Sequence, residues 1–140
     1  MSSKSHLGGW KPWIPAGLVA LGIFLGSSVA GTSLPPPGLF PGQDKVVHLL
    51  EYGLLGFLVA RALHRRSDPP RSIRVIFFGA AAFALLYGLS DEFHQSFVPA
   101  RSVDGFDVLA DLVGGATGAA LLLLVRGRRS RATTTDVTAR

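Results

Sequence analysis

The chain has 140 residues, of which 48% are hydrophobic, with a formal net charge of +5 and no cysteine. This length suits one domain, but the hydrophobic content exceeds the needs of a small soluble core and favours a membrane protein. The lack of cysteine excludes a disulfide framework and a thiolate as metal ligand or nucleophile. Basic residues lie in short clusters between apolar runs and not on one polar face, so no nucleic-acid partner is expected.

The first apolar run extends from Trp13 to Ala30. Its 18 residues carry no charge, which meets the lower length limit for a membrane-spanning helix. Trp10 and Trp13 at its start are typical of residues at a membrane interface. A second interpretation stays open, because the small-x-small triplet that ends at Ala30 also fits a cleavable signal peptide. Both interpretations place the following proline-rich loop outside the cell.

Three further apolar runs follow, and each is long enough to cross a bilayer when its polar end is included. They extend from about Val46 to Leu63, from Ile73 to about Phe97 and from about Val108 to Val125. We therefore predict an all-α fold, a polytopic membrane protein built as a four-helix transmembrane bundle. The expected segments are a cytoplasmic N-terminus at 1–12, the membrane domain at 13–125, and a basic, disordered cytoplasmic tail at 126–140.

The lysine and arginine residues predict the orientation of this bundle. They precede the first run, flank the connection between the second and third runs and follow the fourth, whereas only Lys45 and Arg101 lie elsewhere. Because cytoplasmic segments carry the excess of basic residues, we expect a multi-pass protein of the cell membrane with both termini inside. The acids show the opposite distribution, and those on or near the outer side are Asp44, Glu51, Asp91, Glu92, Asp104, Asp107 and Asp111.

Helical spacing aligns several polar groups of the second run. His48, Glu51 and Tyr52 follow Asp44 by four, seven and eight residues, which places all four on one stripe of a helix. Lys45 lies three residues before His48 and joins the same face. Charge inside a bilayer is costly and usually faces a bundle interior, so this stripe is expected to point inward.

The third and fourth runs carry matching groups. Asp91, His94 and Gln95 share one face of the third helix, with Glu92 turned partly away. The fourth helix combines a row of acids with a seam of small residues that permits close backbone approach: Asp104, Asp107 and Asp111, beside Ala110, Gly114 and Gly118. Three helices are thus expected to gather histidines, carboxylates, a glutamine and a tyrosine beneath the outer surface.

Two stretches, DKVVHLLEYGLLGF and SDEFHQSFVPARSVDGFDVLADLVGGATG, resemble the VanZ-like family of small bacterial membrane proteins. The resemblance covers about Asp44 to Leu124. It implies a link to teicoplanin resistance, with which the founding member of the family is associated. Ala100 departs from the pattern, since relatives often have glycine before the arginine. Carried onto this chain, the polar signature of the family comprises Asp44, Lys45, His48, Glu51, Tyr52, Asp91, Glu92, His94, Gln95, Arg101, Asp107 and Asp111.

We interpret the polar cluster as a binding site for an amphiphilic ligand of the cell envelope, because teicoplanin carries an acyl chain. The expected partners are this ligand and the lipid bilayer, and no cofactor is expected. An acid–base enzyme is an alternative, with Lys45 and Arg101 available to hold a phosphate or carboxylate. A transporter is favoured least, because no polar track continues towards the cytoplasm below Glu51.

A metal site is a further alternative, since His48 and Glu51 with Asp91 and His94 offer four ligands from two helices. If the signature forms one constellation, His48 and Glu51 should lie near Asp91 and His94, with Asp107 or Asp111 at the rim. Burying several anions together is unfavourable unless they gain partners. We therefore expect Lys45 to pair with an acid of the third or fourth helix. Arg101 is expected to complete this network or to contact an anionic group of the ligand.

Overall fold

The computed structural model describes residues 9–33, 40–65 and 71–138, with side chains up to residue 128. These ranges contain helices and connecting segments but no strand, which confirms the all-α prediction. Short 3-10 helices occur at Lys11–Trp13 and Gly31–Ser33. The four α-helices are α1 (Ile14–Ser27), α2 (Gln43–Arg65), α3 (Ile73–Gln95) and α4 (Gly105–Thr138).

Three of the four helices are long and apolar enough to cross a membrane. They are α2, α3 and the Gly105–Arg128 part of α4, whereas α1 with its preceding 3-10 turn is shorter. The predicted run from Trp13 to Ala30 becomes a helix of 14 residues, because proline lies at its first turn and the chain bends after Ser28. Such a helix is about 21 Å long, against a hydrocarbon core of about 30 Å.

Local sequence explains where α3 and α4 begin. The Ser72 hydroxyl caps α3 by accepting a hydrogen bond from the Val75 backbone N–H at 3.3 Å. The Asp104 carboxylate does the same for α4, accepting from the Phe106 N–H at 2.9 Å. Serine and aspartate are favoured at such positions because they satisfy N–H groups that lack a partner within the helix.

The C-terminal segment differs from the prediction. Residues 126–138 were expected to be disordered, but α4 continues through them to Thr138. Four arginines favour the helix in this segment and no proline interrupts it, so the helix of the membrane domain extends beyond the apolar run in spite of Gly127 and the threonines. The predicted N-terminal segment, 1–12, lies largely outside the described residues.

Close backbone contact joins α2 to α4. A Cβ atom added to Gly114 would collide with the Leu49 carbonyl, and one added to Gly118 would collide with the Gly53 carbonyl. The predicted small-residue seam at these two glycines is therefore confirmed. Gly56 of α2 provides the complementary surface, because a Cβ atom there would collide with the Gly115 backbone of α4.

The antiparallel order of the helices brings four helix ends together. The C-terminal ends of α1 and α3 lie beside the N-terminal ends of α2 and α4, and we call this region the polar end. The Gly31 N–H of the segment after α1 donates to the Pro99 carbonyl of the segment after α3 at 3.0 Å. Ala100 has a φ of 57°, a left-handed conformation that costs a non-glycine residue about 1–2 kcal/mol. Glycine would adopt this conformation without that cost.

Candidate functional site

Lys45 forms the centre of an ion-pair cluster at the polar end. Its ammonium nitrogen donates to carboxylate oxygens of Asp44 at 2.9 Å, Asp104 at 2.7 Å and Asp107 at 3.0 Å. Asp107 belongs to the first turn of α4, so the prediction that Lys45 pairs with an acid of the third or fourth helix is confirmed. The hydrogen bond from Lys45 also holds the pKa of Asp104 below its ordinary value, assisted by the Phe106 N–H.

Glu92 connects α3 to the start of α4. Its side chain was predicted to turn partly away from the face of Asp91 and His94, and in the structure it is buried. One carboxylate oxygen, Oε2, accepts a hydrogen bond from the Asp104 backbone N–H at 2.8 Å. The other, Oε1, is buried without a partner among the described residues. An unpaired buried carboxylate oxygen is costly, so this atom marks a point that favours a proton or cation.

His48 and Asp111 form a second polar pair, deeper in the bundle. The His48 Nδ1 atom lies 2.9 Å from Asp111 Oδ1, and Asp111 is completely buried. Gly88 of α3 makes room for this carboxylate, because a Cβ atom there would collide with Asp111 Oδ2. The His48 ring lies nearly parallel to the ring of Tyr52, with their centroids 6.1 Å apart. Asp111 thereby fixes the orientation of the imidazole.

Asp91 and His94 hold α1 against α3. Asp91 Oδ2 accepts hydrogen bonds from the Ser27 hydroxyl at 2.9 Å and the Gln95 amide at 3.0 Å. His94 Nε2 lies 3.0 Å from the Ser28 hydroxyl. Ser27 and Ser28 were not predicted from the sequence to belong to this network. The only signal was two adjacent hydroxyl residues near the end of an otherwise apolar run.

Arg101 stabilises the end of α1 and does not join the acids. Its Nε and Nη2 atoms donate to the backbone carbonyls of Val29 at 3.1 Å and Gly26 at 3.0 Å. The guanidinium group thereby links the last turn of α1 with the segment that follows it, in addition to the backbone bond from the Val29 N–H to the Gly26 carbonyl. The expectation that Arg101 completes the acid network is therefore wrong. Contact of Arg101 with an anionic ligand group stays a prediction.

The four metal candidates from the sequence do not converge. Glu51 is exposed on the surface of α2, and among the described residues its charge interacts with that of His48 without a hydrogen bond or ion pair. His48 pairs with Asp111, whereas Asp91 and His94 bond to serines of α1. Helical spacing placed His48 and Asp91 on inward faces, but it does not specify how far each helix is rotated against its neighbours, and Glu51 is therefore exposed.

Two other groups of ligand atoms do converge. In each of them, among the described residues, potential ligand atoms from three side chains lie within 4.8 Å of one another. The first group draws on α2, α3 and α4, whereas the second surrounds the Lys45 ammonium. The groups are His48, Glu92 and Asp107, and Asp44, Asp104 and Asp107.

Comparison with known proteins gives one match. The family model described as VanZ/LLP1 matches residues 13–126. This range includes α1, α2, α3, the membrane-length part of α4 up to residue 126, and every residue of the polar end. No curated protein and no solved structure matches the chain.

Proposed function

Because the chain belongs to the VanZ/LLP1 family, we propose that it is a multi-pass membrane protein whose polar end binds an amphiphilic ligand of the cell envelope. The polar end faces outward in this proposal, and both termini are cytoplasmic. The basic residues support that orientation, since the arginines of α2, α3 and α4 cluster at the opposite helix ends. The fourth crossing is assigned to α1 together with the 3-10 turn Lys11–Trp13.

The observation that carries the proposal is the combination of exposed charge and exposed aromatic surface at the polar end. Phe93 near the end of α3 is 69% exposed, Phe97 just after α3 is 71% exposed, and Phe106 at the start of α4 is 68% exposed. The exposed Asp44 and the half-buried Asp104 lie in the same region, held by Lys45. An amphiphile needs both surfaces, an apolar one for its acyl chain and a polar one for its head group.

The charges indicate which head groups suit this surface. Lys45 already donates to three carboxylates, so it has little capacity left for an anionic ligand. The cluster as a whole is negative and presents acceptor oxygens at Asp44 and Asp104. Amines, hydroxyls and amides of a peptide or sugar moiety are therefore favoured over phosphate or carboxylate groups. This preference fits an acylated glycopeptide better than a phosphorylated lipid precursor.

Binding to purified protein in lipid nanodiscs tests the proposal. Teicoplanin and its deacylated form serve as matched probes, because they differ in the apolar part of the molecule. We expect the acylated form to bind at least about tenfold more tightly, which corresponds to about 1.4 kcal/mol of apolar contact. Asp44→Asn should weaken binding without unfolding the protein, because Asp44 is exposed. Equal affinity for the two probes, or no binding of either, contradicts the proposal.

An acid–base enzyme is the second candidate function. It is favoured by the His48–Asp111 pair, in which Asp111 engages Nδ1 and leaves Nε2 for proton transfer. Incubation of the protein with lipid-linked envelope precursors, followed by mass spectrometry, tests this function. Product formation that is lost in His48→Gln supports the enzyme, and unchanged precursors count against it.

A further inference from the structure

We infer that His48, Glu92 and Asp107 form a binding site for one divalent cation of the first transition row. The three side chains come from α2, α3 and α4, and their potential ligand atoms lie within 4.8 Å of one another. These ligands differ from the set predicted from the sequence and share only His48 with it. The inference does not depend on the nature of the envelope ligand.

Glu92 provides the observation that most directly indicates a cation. It is only 4% exposed, yet its Oε1 atom has no partner among the described residues. Its other oxygen is held by the Asp104 N–H, so the side chain cannot turn away without losing that bond. A buried carboxylate oxygen without a partner is destabilising unless a proton or cation neutralises it.

His48 is oriented as metal-binding histidines usually are. Its Nδ1 atom is engaged by the buried carboxylate of Asp111 at 2.9 Å, which leaves Nε2 as the ring nitrogen available to a cation. A carboxylate that accepts from the second nitrogen fixes the tautomer and makes the ligating nitrogen more basic. Asp111 is a positioning residue in this arrangement, and Gly88 provides the space that it occupies.

Asp107 provides the third ligand. One of its oxygens, Oδ1, accepts from Lys45 at 3.0 Å, and a carboxylate has a second oxygen that can bind a cation. One imidazole and two carboxylates favour zinc or manganese over magnesium and calcium, which prefer oxygen ligands alone. The chain contains no cysteine that would provide a softer ligand. Three protein ligands also leave a coordination position for water or for a ligand group.

The second converging group does not qualify as a metal site. Asp44, Asp104 and Asp107 all accept hydrogen bonds from the Lys45 ammonium, at 2.9, 2.7 and 3.0 Å. Lys45 therefore already provides the positive charge at their centre. A divalent cation would have to displace this ammonium, whereas the Glu92 oxygen has no such competitor among the described residues.

Metal binding by the intact, detergent-solubilised chain tests the inference. The protein is stripped with a chelator, dialysed against zinc, and its metal content is measured by mass spectrometry. We expect about one zinc per chain, and a higher melting temperature with zinc than without it. A tenfold excess of magnesium should not displace the zinc. Absence of zinc from the wild-type protein, or displacement by magnesium, overturns the inference.

Matched variants identify the ligands. Glu92→Gln should lower zinc affinity at least about tenfold, and its amide oxygen can still accept from the Asp104 N–H. Asp111→Asn should lower affinity about 10- to 100-fold through the orientation of His48. Glu51→Gln is the comparison variant, because Glu51 acts on His48 only through its charge and its loss should cost less zinc affinity than the loss of Glu92. Equal loss in Glu51→Gln and Glu92→Gln overturns the assignment.

His48→Gln provides an independent test of the metal ligands if Glu92→Gln does not fold. In wild-type protein loaded with cobalt, a nitrogen ligand contributes to the visible absorption spectrum, and this contribution should disappear in His48→Gln. An unchanged cobalt spectrum in this variant contradicts the inference, because His48 is the only nitrogen ligand in the proposed set.

Discussion

The seam between α2 and α4 and the polar end join the same helices by different means. In the seam, Gly114 and Gly118 allow backbone atoms of the two helices to touch, and no polar side chain takes part. At the polar end, Lys45 and Glu92 connect α2, α3 and the start of α4 through hydrogen bonds and ion pairs. Lipid is as apolar as leucine, so burial of apolar surface contributes little, and close packing and polar contacts must hold the bundle together.

This difference determines how each region responds to substitution. Contact in the seam depends on the absence of single atoms, so one added methyl group affects the whole interface. Contact at the polar end is distributed over several bonds, so the loss of one leaves the others in place. The seam is therefore expected to contribute more to the free energy of unfolding. The polar end, in contrast, can contain polar side chains whose hydrogen-bonding groups are not all paired within the protein.

The largest effect is predicted in the seam. Gly118→Ala should destabilise the fold by about 1–3 kcal/mol, because the added Cβ collides with the Gly53 carbonyl and the α2 backbone cannot yield without moving the helix. Unfolding of the detergent-solubilised protein by titration with a denaturing detergent measures this change. Gly22→Ala of α1 is the control, since its Cβ has no neighbour within 4 Å. Equal stability of the two variants contradicts the role assigned to the seam.

A smaller effect is predicted for the centre of the polar end. Lys45→Met should destabilise the protein by about 1–2 kcal/mol, because it keeps the volume of the side chain but leaves Asp107 buried without its cation. Lys45→Arg should restore most of the stability, since the guanidinium keeps the charge. The same unfolding measurement applies, with Lys11→Met as an exposed control. No loss in Lys45→Met indicates that Asp107 is neutralised by another group.

Much of the fold followed from the sequence because helical period and apolar length are local properties. They predicted α2 and α3 to within a few residues, together with Gly114 and Gly118 of the seam. The length of α1 was not predictable in the same way. Its last turn is contacted by Arg101, which lies more than 70 residues later in the chain and bonds to the carbonyl of Gly26.

The candidate site was predictable as a set of residues but not as a set of partners. The stripe of Asp44, His48 and Tyr52 is present, but His48 pairs with Asp111 of α4 and not with a residue of α3. Glu51 shares the stripe by spacing and is nevertheless exposed. The rotation of each helix about its axis, and the distance between α2 and α4, determine which side chains meet. Both depend on which small residues of the two helices are in contact in the seam.

The contact between α1 and α3 is expected to respond to substitution less than the seam but more than the exposed margin of the polar end. Ser27→Ala should destabilise the protein by about 1 kcal/mol, because it removes a buried hydrogen bond to Asp91, while Gln95 still donates to the same oxygen. The Tyr87 hydroxyl also keeps its bond to the Ala20 carbonyl at 2.6 Å, so α1 should remain attached. Thermal unfolding in detergent measures the change, and Ser90→Ala is the control with only a local bond. A loss of stability as large as that of Gly118→Ala contradicts this expectation. It shows that the hydrogen bond from Ser27 contributes as much to the α1 interface as close packing contributes to the seam.

The smallest effect concerns the exposed margin of the polar end and depends on pH. The pKa of Asp104 lies below its ordinary value of 3.8 because Lys45 and the Phe106 N–H bond to its carboxylate. A carboxyl group with a lowered folded-state pKa contributes stability above its unfolded-state pKa, and this contribution is lost as pH falls through the lower, folded-state value. Asp104→Asn keeps an acceptor for the helix cap and removes the charge. The difference in melting temperature between wild type and Asp104→Asn should therefore be constant above the ordinary pKa and shrink below it. A difference that persists in acid contradicts the ion pair as its cause, because the protonated Asp104 side chain carries no charge.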